Sequence, residues 1–249
     1  MIQINEIFGP TIQGEGKLIG TPSIFIRVGK CNMKCVGFNV EYETPSGIKN
    51  FSCDSFHAVD TAFKEQWKAM DCKQILEESS KIMPKYKVDI VITGGEPLLY
   101  WKDEEFQKLL KYFVENNYKV TIETNASLNI EFEYPYQKEL LFSMSVKLSN
   151  SLEPLKKRVN IPTLTKILKN TKDSYLKFVI DKQFLQKASE EINFLLTQIP
   201  KVEVYLMPMG DTAKQISENS EAVIAMAIEY GFKYCDRLHI RVWDNKRGV

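Results

Sequence analysis

An α/β fold, with parallel strands in a sheet or barrel, is predicted for this chain by three observations. Short β-branched runs alternate with amphipathic helical stretches from residue 88 onward. Repeated strand–helix units of this kind join parallel strands by right-handed crossovers. The polar clusters fall at the C-terminal ends of the runs or in the turns after them, which is the end where parallel sheets and barrels bind ligands.

The elements follow in chain order. Residues 23–28, Ser-Ile-Phe-Ile-Arg-Val, form the first predicted strand and deliver a cysteine-bearing loop at their end. Residues 36–52 break the alternation. Glu43-Thr44-Pro45-Ser46-Gly47 is a turn signal between two short runs carrying Tyr42 and Phe51, so a hairpin or loop is inserted there. Residues 89–93 are a continuous run closed by Gly94-Gly95, as expected of a strand buried on both faces. Phe106, Leu109, Leu110, Phe113 and Val114 repeat at helical spacing. Strands are predicted at 118–123, 141–147 and 175–180. A helix then carries Ala188, Ile192, Leu195 and Ile199 on one stripe and stops at Pro200. After a strand at 202–206, a helix through Val223, Met226, Ala227 and Tyr230 stops at Gly231. Residues 236–242 are predicted as the final strand.

The chain has 249 residues, which fits one domain spanning 1–249. Its 33 basic and 32 acidic residues leave a net charge of +1, so no global field draws nucleic acid or an anionic membrane. The opening residues lack the charged head and apolar run of a signal peptide, and no apolar stretch approaches a membrane span. A cytoplasmic location is expected, where thiols stay reduced. Five cysteines, an odd number, argue against a disulfide framework. Cys72 and Cys235 are isolated and are expected to be small buried apolar residues.

The chemistry concentrates on Cys31, Cys35 and Cys53. Three residues separate the first two, and residues 36–52 separate the second from the third, which is followed by Asp54-Ser55. Three thiolates can hold a four-iron cluster while leaving one iron free to chelate a small molecule. A zinc site with His57 as fourth ligand is the competing interpretation, since Cys31 and Cys35 alone supply half of a zinc motif. Thr93-Gly94-Gly95-Glu96-Pro97 follows a buried strand. Its glycines permit close approach to the backbone, and Glu96 with neighbouring carbonyls can accept hydrogen bonds from an ammonium group.

A three-cysteine loop after the first strand and a Gly-Gly-Glu turn after the second resemble the radical S-adenosylmethionine superfamily. More narrowly, the chain resembles the 7-carboxy-7-deazaguanine synthases of the queuosine pathway. The likeness runs almost end to end. It includes Glu6-Ile7-Phe8-Gly9-Pro10-Thr11-Ile12-Gln13-Gly14-Glu15-Gly16, Phe25-Ile26-Arg27, Cys53-Asp54-Ser55, Thr93 to Pro97, Glu123-Thr124-Asn125 and Ser145-Val146-Lys147. It also includes Leu238-His239 and the tail from Trp243 to Val249. One departure stands out. The superfamily usually has two residues between its second and third cysteines, and Phe38 occupies that third place here. Cys53 is inferred to be the displaced ligand, because Asp54-Ser55 follows it as the family pattern requires. The intervening residues must loop out and return, which costs little because closure entropy grows only logarithmically with length.

The resemblance implies an incomplete, TIM-like barrel as the radical core, with 36–52 an insertion in the cluster motif. It implies a lyase that converts 6-carboxy-5,6,7,8-tetrahydropterin to 7-carboxy-7-deazaguanine with loss of ammonia. A [4Fe-4S] cluster on Cys31, Cys35 and Cys53 would reduce S-adenosylmethionine to start hydrogen removal. Gly95, Glu96, Ser145, Val146 and Lys147 match the positions that hold that cofactor, and Ser55 matches a Mg2+ ligand. Ile12, Gln13, Gly14, Glu15, Arg27, Thr93, Glu123, His239 and the terminal carboxylate of Val249 match substrate positions. Either Phe38 or Phe51 supplies the aromatic contact to adenine. An electron donor such as a flavodoxin or ferredoxin and a homodimeric state are implied as well. Two other functions remain open on the residues alone: a radical activase of a protein glycine, and a non-catalytic module stabilised by zinc.

Overall fold

The computed structural model describes residues 1–246 and 248. Among the described residues there are eleven strands: β1 Ile2–Ile12, β2 Pro22–Val28, β3 Val40–Glu43, β4 Lys49–Ser52, β5 Lys68–Met70, β6 Asp89–Gly94, β7 Val120–Thr124, β8 Leu141–Met144, β9 Tyr175–Ile180, β10 Val204–Pro208 and β11 Lys233–Tyr234. The helices are α1 Phe56–Val59, α2 Cys72–Ile82, α3 Glu104–Glu115, α4 Leu155–Arg158, α5 Ile161–Asn170, α6 Leu185–Leu196, α7 Ala213–Tyr230 and α8 Leu238–Trp243.

Nine strands form one sheet in the order β11-β10-β9-β8-β7-β6-β2-β1-β5. From β2 to β11 every neighbouring pair is parallel. The sheet is a row with two ends, β5 and β11, so the architecture is a mostly parallel α/β sheet. Its strands read as apolar runs because both faces are covered. Ile90, Ile92, Ile122, Phe142, Leu176, Phe178, Ile180 and Leu206 are fully buried. The amphipathic stripe expected around Phe106 to Phe113 lies on α3, started by the Asp103 carboxylate capping Glu105 and Phe106. Helix α7 ends at Gly231, whose φ of 68° suits a residue without Cβ.

Besides β5, α2 and α5, for which the sequence suggested no element, three regions differ from the sequence expectation. The chain begins with β1, an eleven-residue strand antiparallel to β2, which the alternation did not reveal. Gly9-Pro10 interrupts its pattern, and the register shifts between Phe8 and Thr11 accommodate a residue that cannot donate to the ladder. Residues 236–242, expected as the final strand, instead contain α8. Leu238, Ile240 and Val242 mimic strand alternation, but only Ile240 is fully packed. The turn is set by Asp236, which accepts from Arg241 at 3.0 Å, and by the Arg241 amide donating to the Arg237 carbonyl. The sheet edge belongs to the shorter β11. Finally, the strand expected at 141–147 stops at Met144, and Ser145 to Lys147 form the loop beyond it.

The interruption at 36–52 is a hairpin of β3 and β4, paired Val40 with Ser52 through Glu43 with Lys49. Tyr42 anchors it. Its ring stacks on Phe56 with centroids 4.3 Å apart, and its hydroxyl donates to Asp60 at 2.6 Å. A hydrogen bond to a charged acceptor contributes about 1.5–3 kcal/mol. Tyr42→Phe is therefore expected to loosen the hairpin, read as faster proteolysis at the exposed 45–48 tip with the global transition little changed. An unaltered cleavage rate would remove this anchor from the account.

No helix among the described residues is long and apolar enough to cross a membrane. All five cysteines are free. Cys235 is buried as expected, whereas Cys72 is only partly so, at the first turn of α2.

Candidate functional site

A cavity of about 540 Å³ opens at the C-terminal ends of the parallel strands, a volume suited to a small organic ligand. Cys31, Cys35 and Cys53 all line it. The loop after β2 reaches this position through left-handed backbone at Lys30, Cys35 and Asn39. The hairpin then returns the chain, and the Ser52 hydroxyl donates to the Lys34 carbonyl at 2.6 Å. The residue before Cys53 is thus bonded to the residue before Cys35, which ties the two segments together across the long insertion. Burial raises all three thiols above their usual range, Cys35 to about 12; Cys53 and Cys35 push Cys31 further, and Cys53 pushes Cys35. Three desolvated sulfurs of this kind do not ionise together without a cationic core between them. This donor chemistry fits an iron–sulfur cluster.

His57, weighed as a zinc ligand, borders the same cavity, but its Nε2 lies 3.5 Å from Glu6. Among the described residues no three His, Cys, Asp or Glu side chains are gathered to hold a single metal ion. A four-iron cluster asks for ligands set farther apart than one zinc does.

The Gly-Gly-Glu turn serves the fold as well as the cavity. Gly94 has φ +124°, and a Cβ on Gly94 or Gly95 would collide with the backbone of Val28 or Lys30. Gly95 lines the cavity, but Glu96 does not. It is fully buried, accepting from Leu98 N at 2.9 Å, Thr124 Oγ1 at 2.6 Å and Asn125 N at 2.8 Å. Burial pushes its carboxyl up, against those donors. Glu96 therefore locks the turn to the end of β7. Asn125 continues the tie, donating to Asn32 at 2.9 Å within the cysteine loop.

Beyond β8, Ser145 and Lys147 line the cavity, with the ammonium donating to the hydroxyl at 2.9 Å. Val146 between them is buried and does not line it. Lys147 also stands over the Phe38 ring, 5.6 Å from its centroid. Phe38 lines the cavity, whereas Phe51 lies outside its lining and is largely exposed.

The other end of the cavity is a buried charge network. Glu15 accepts from Lys177 on one oxygen and from Arg237 Nε on the other at 2.8 Å. Lys177 lies 3.8 Å from Glu123, which accepts from the Thr93 hydroxyl at 2.6 Å. Arg237 also donates to Asp54 and to the Gly210 carbonyl. Burial alone would raise the Glu15 carboxyl, but Lys177 and Arg237 outweigh it and hold the group well below the usual range. Arg27 donates Nε to Glu6 at 2.7 Å and an Nη to the Ser55 hydroxyl at 3.3 Å. Burial pushes the His239 imidazole below its usual range, against the pull of Glu15.

The structure thus gathers Ile12, Gln13, Gly14, Glu15, Arg27, Ser55, Thr93, Glu123 and His239 around one cavity with the cysteines. Val249 lies outside the described residues. Sequence reasoning passed over Lys177 and Arg237. A lysine amid the apolar run Tyr175 to Ile180 was the available signal, since an unpaired charge is not kept in a buried strand. Gly14 is pressed against His239, and a Cβ there would overlap the imidazole. Gly14→Ala is expected to displace His239 and raise the substrate KM by at least about tenfold, equivalent to about 1.4 kcal/mol. Combining it with His239→Ala should add no further loss. Additive losses would disprove the steric coupling.

Comparisons with known proteins agree with this geometry. A family described as a 4Fe-4S single cluster domain matches residues 12–168, more than half of the chain. The 7-carboxy-7-deazaguanine synthase of Rhodopirellula baltica is 30% identical, over 95% of this chain and 85% of that one. That of Halobacterium salinarum is 29% identical over 98% and 91%. The crystal structure of QueE from Escherichia coli superimposes with a TM-score of 0.64 at 20% identity, covering 96% of this chain and 94% of that one, a likeness of fold.

Proposed function

Because the chain belongs to the 7-carboxy-7-deazaguanine synthase family and to the 4Fe-4S single cluster family, we propose that it converts 6-carboxy-5,6,7,8-tetrahydropterin to 7-carboxy-7-deazaguanine with loss of ammonia. It is a radical S-adenosylmethionine lyase of the queuosine pathway. The observation that carries this reading is that three cysteines and a set of polar residues suited to a carboxylated pterin line one cavity. The incomplete TIM-like barrel of the superfamily is the finer architecture we assign to the open parallel sheet.

Cys31, Cys35 and Cys53 would hold the [4Fe-4S] cluster. When bound, cluster and S-adenosylmethionine supply the one-electron chemistry that begins hydrogen removal from the substrate. Gly95, Ser145 and Lys147 border the cofactor, with Phe38 as the aromatic beside its adenine. Glu96 and Val146 act from behind, holding the backbone that carries those contacts. Arg27, steadied by Glu6, offers the planar fork that a carboxylate takes up. Ser55 supplies one hard oxygen for Mg2+, a metal satisfied by few protein ligands. Glu15, kept ionised by two cations, and Glu123 accept the ring N–H and amino donors of the pterin. Gln13, Ile12 and Gly14 line its edge, and His239 packs against Gly14. A homodimer, a flavodoxin or ferredoxin as electron donor and a cytoplasmic location complete the proposal, the last in keeping with five free thiols.

The test is turnover by anaerobically reconstituted protein. It is expected to bind about four irons, cleave S-adenosylmethionine only in the presence of pterin, and release ammonia with the deazaguanine. A colourless protein holding one zinc, or uptake of iron without ammonia release, would overturn the assignment.

A further inference from the structure

Glu153 lies more than a hundred residues from the cysteine loop in sequence and touches it in space. One carboxylate oxygen accepts the backbone N–H of Lys34 at 2.5 Å and of Cys35 at 3.0 Å. The second accepts from Lys157, one helical turn on, at 2.7 Å. The Glu153 side chain is only 8% exposed, whereas Lys157 is 41% exposed. Few carboxylates are buried without a purpose for the charge, because desolvation is offset only by well-made partners.

The segment carrying Glu153 is itself held rigidly. Gly37 packs on it so closely that a Cβ would overlap the Asn150 carbonyl. Arg158 donates to the Lys147 carbonyl at 2.9 Å and pairs with Glu191 at 2.9 Å. Glu191 in turn accepts from the Ser149 amide at 3.0 Å. The carboxylate is therefore a fixed point, while the loop it grips passes through left-handed backbone at Cys35, a conformation a bulky residue does not adopt unaided.

We propose that Glu153 is a positioning residue for the cluster-binding loop: it fixes the backbone at Lys34 and Cys35 before the cluster is loaded, and sets a negative charge beside Cys35 that makes the bound cluster harder to reduce. This rests on Cys31, Cys35 and Cys53 being the cluster ligands. Outer partners of a ligand orient it and tune the metal centre, and nearby charge is one of the levers on an iron–sulfur potential. A buried anion opposes arrival of an electron, and Lys157 partly offsets it.

Two measurements on the full chain test the two halves. In the protein without cluster, amide exchange at residues 34 and 35 is expected to speed up at least about tenfold in Glu153→Ala. Exchange equal to wild type would overturn the clamp. In the reconstituted protein, redox titration followed by electron paramagnetic resonance is expected to move the midpoint upward in Glu153→Gln and downward in Lys157→Met. Both variants at the wild-type midpoint, or both moving the same way, would overturn the electrostatic role. If wild-type protein takes up no four-iron cluster, the functional reading fails instead, and the exchange experiment still decides whether Glu153 clamps the loop.

Discussion

Replacing Cys53 by alanine is expected to abolish the iron–sulfur absorbance of anaerobically reconstituted protein, together with S-adenosylmethionine cleavage and pterin turnover. Cys31 and Cys35 alone leave two corners of a four-iron cluster without thiolate, and a centre that needs three sulfurs does not persist on two. Activity should fall below about one-thousandth of wild type, the scale seen when a group on which the whole reaction depends is removed. The fold should survive, because the hairpin is fastened by Tyr42 to Asp60 and by Ser52 to the Lys34 carbonyl rather than through the Cys53 thiol. Circular dichroism and the urea midpoint should match wild type. Cys72→Ala is the control, since Cys72 sits at the start of α2, away from the cavity lining. A Cys53→Ala protein that still binds about four irons per chain would show that the third ligand has been misassigned.

That assignment marks how far the sequence could be read. Six of the parallel strands were legible because strands covered on both faces are written as uninterrupted β-branched runs. Residues 175–180 agree with the structure end to end. The hairpin was legible from Pro45-Ser46-Gly47, since turn chemistry is local. What was not legible depended on distant partners. The β1 strand carries a Gly-Pro interruption that is tolerable only because the register shifts against β2. The α8 helix hides behind a false alternation that Asp236 and Arg241 resolve across a turn.

The site divides the same way. Short motifs at strand ends brought fifteen of the proposed residues to one cavity lining, but motif membership could not say which way each side chain faces. Glu96 illustrates this. Its place in a Gly-Gly-Glu turn suggests an acceptor for the cofactor amine, yet it is fully buried outside the cavity lining and accepts from Leu98, Thr124 and Asn125. Arg237 shows the converse. Nothing local distinguishes it, and its importance arises because Glu15 and Asp54, both near the start of the chain, converge on a guanidinium from the far end. Such convergence belongs to topology and cannot be read from spacing.

Lys177→Met is expected to produce the largest loss of stability at any site residue. Lys177 stands on β9 between fully buried Leu176 and Phe178, with its own side chain 5% exposed. Its ammonium faces Glu15 and Glu123. Removing Lys177 leaves Glu15 to Arg237 alone and takes the nearby cation from Glu123, and breaking a buried ion pair in this way costs about 3–5 kcal/mol. Urea denaturation at neutral pH should report a loss of that order, and the KM for the pterin should rise because Glu15 is no longer held in its ionised, oriented form. The loss has a defined pH dependence. Lys177 and Arg237 depress the Glu15 carboxyl in the folded protein, so the stabilisation is complete above the unfolded carboxylate range and disappears as pH falls through the lower folded value. The gap between wild type and Lys177→Met should therefore be widest near neutrality and narrow in acid. Glu15→Gln combined with Lys177→Met removes both charges and should recover about 1–3 kcal/mol of the lost stability, while the KM stays high because a neutral amide with one acceptor oxygen replaces the carboxylate. Stability returning without binding separates the structural duty of this pair from its duty to the substrate. Were the double variant no more stable than Lys177→Met alone, the two charges would not be coupled, and the network at this end of the cavity would have to be redrawn.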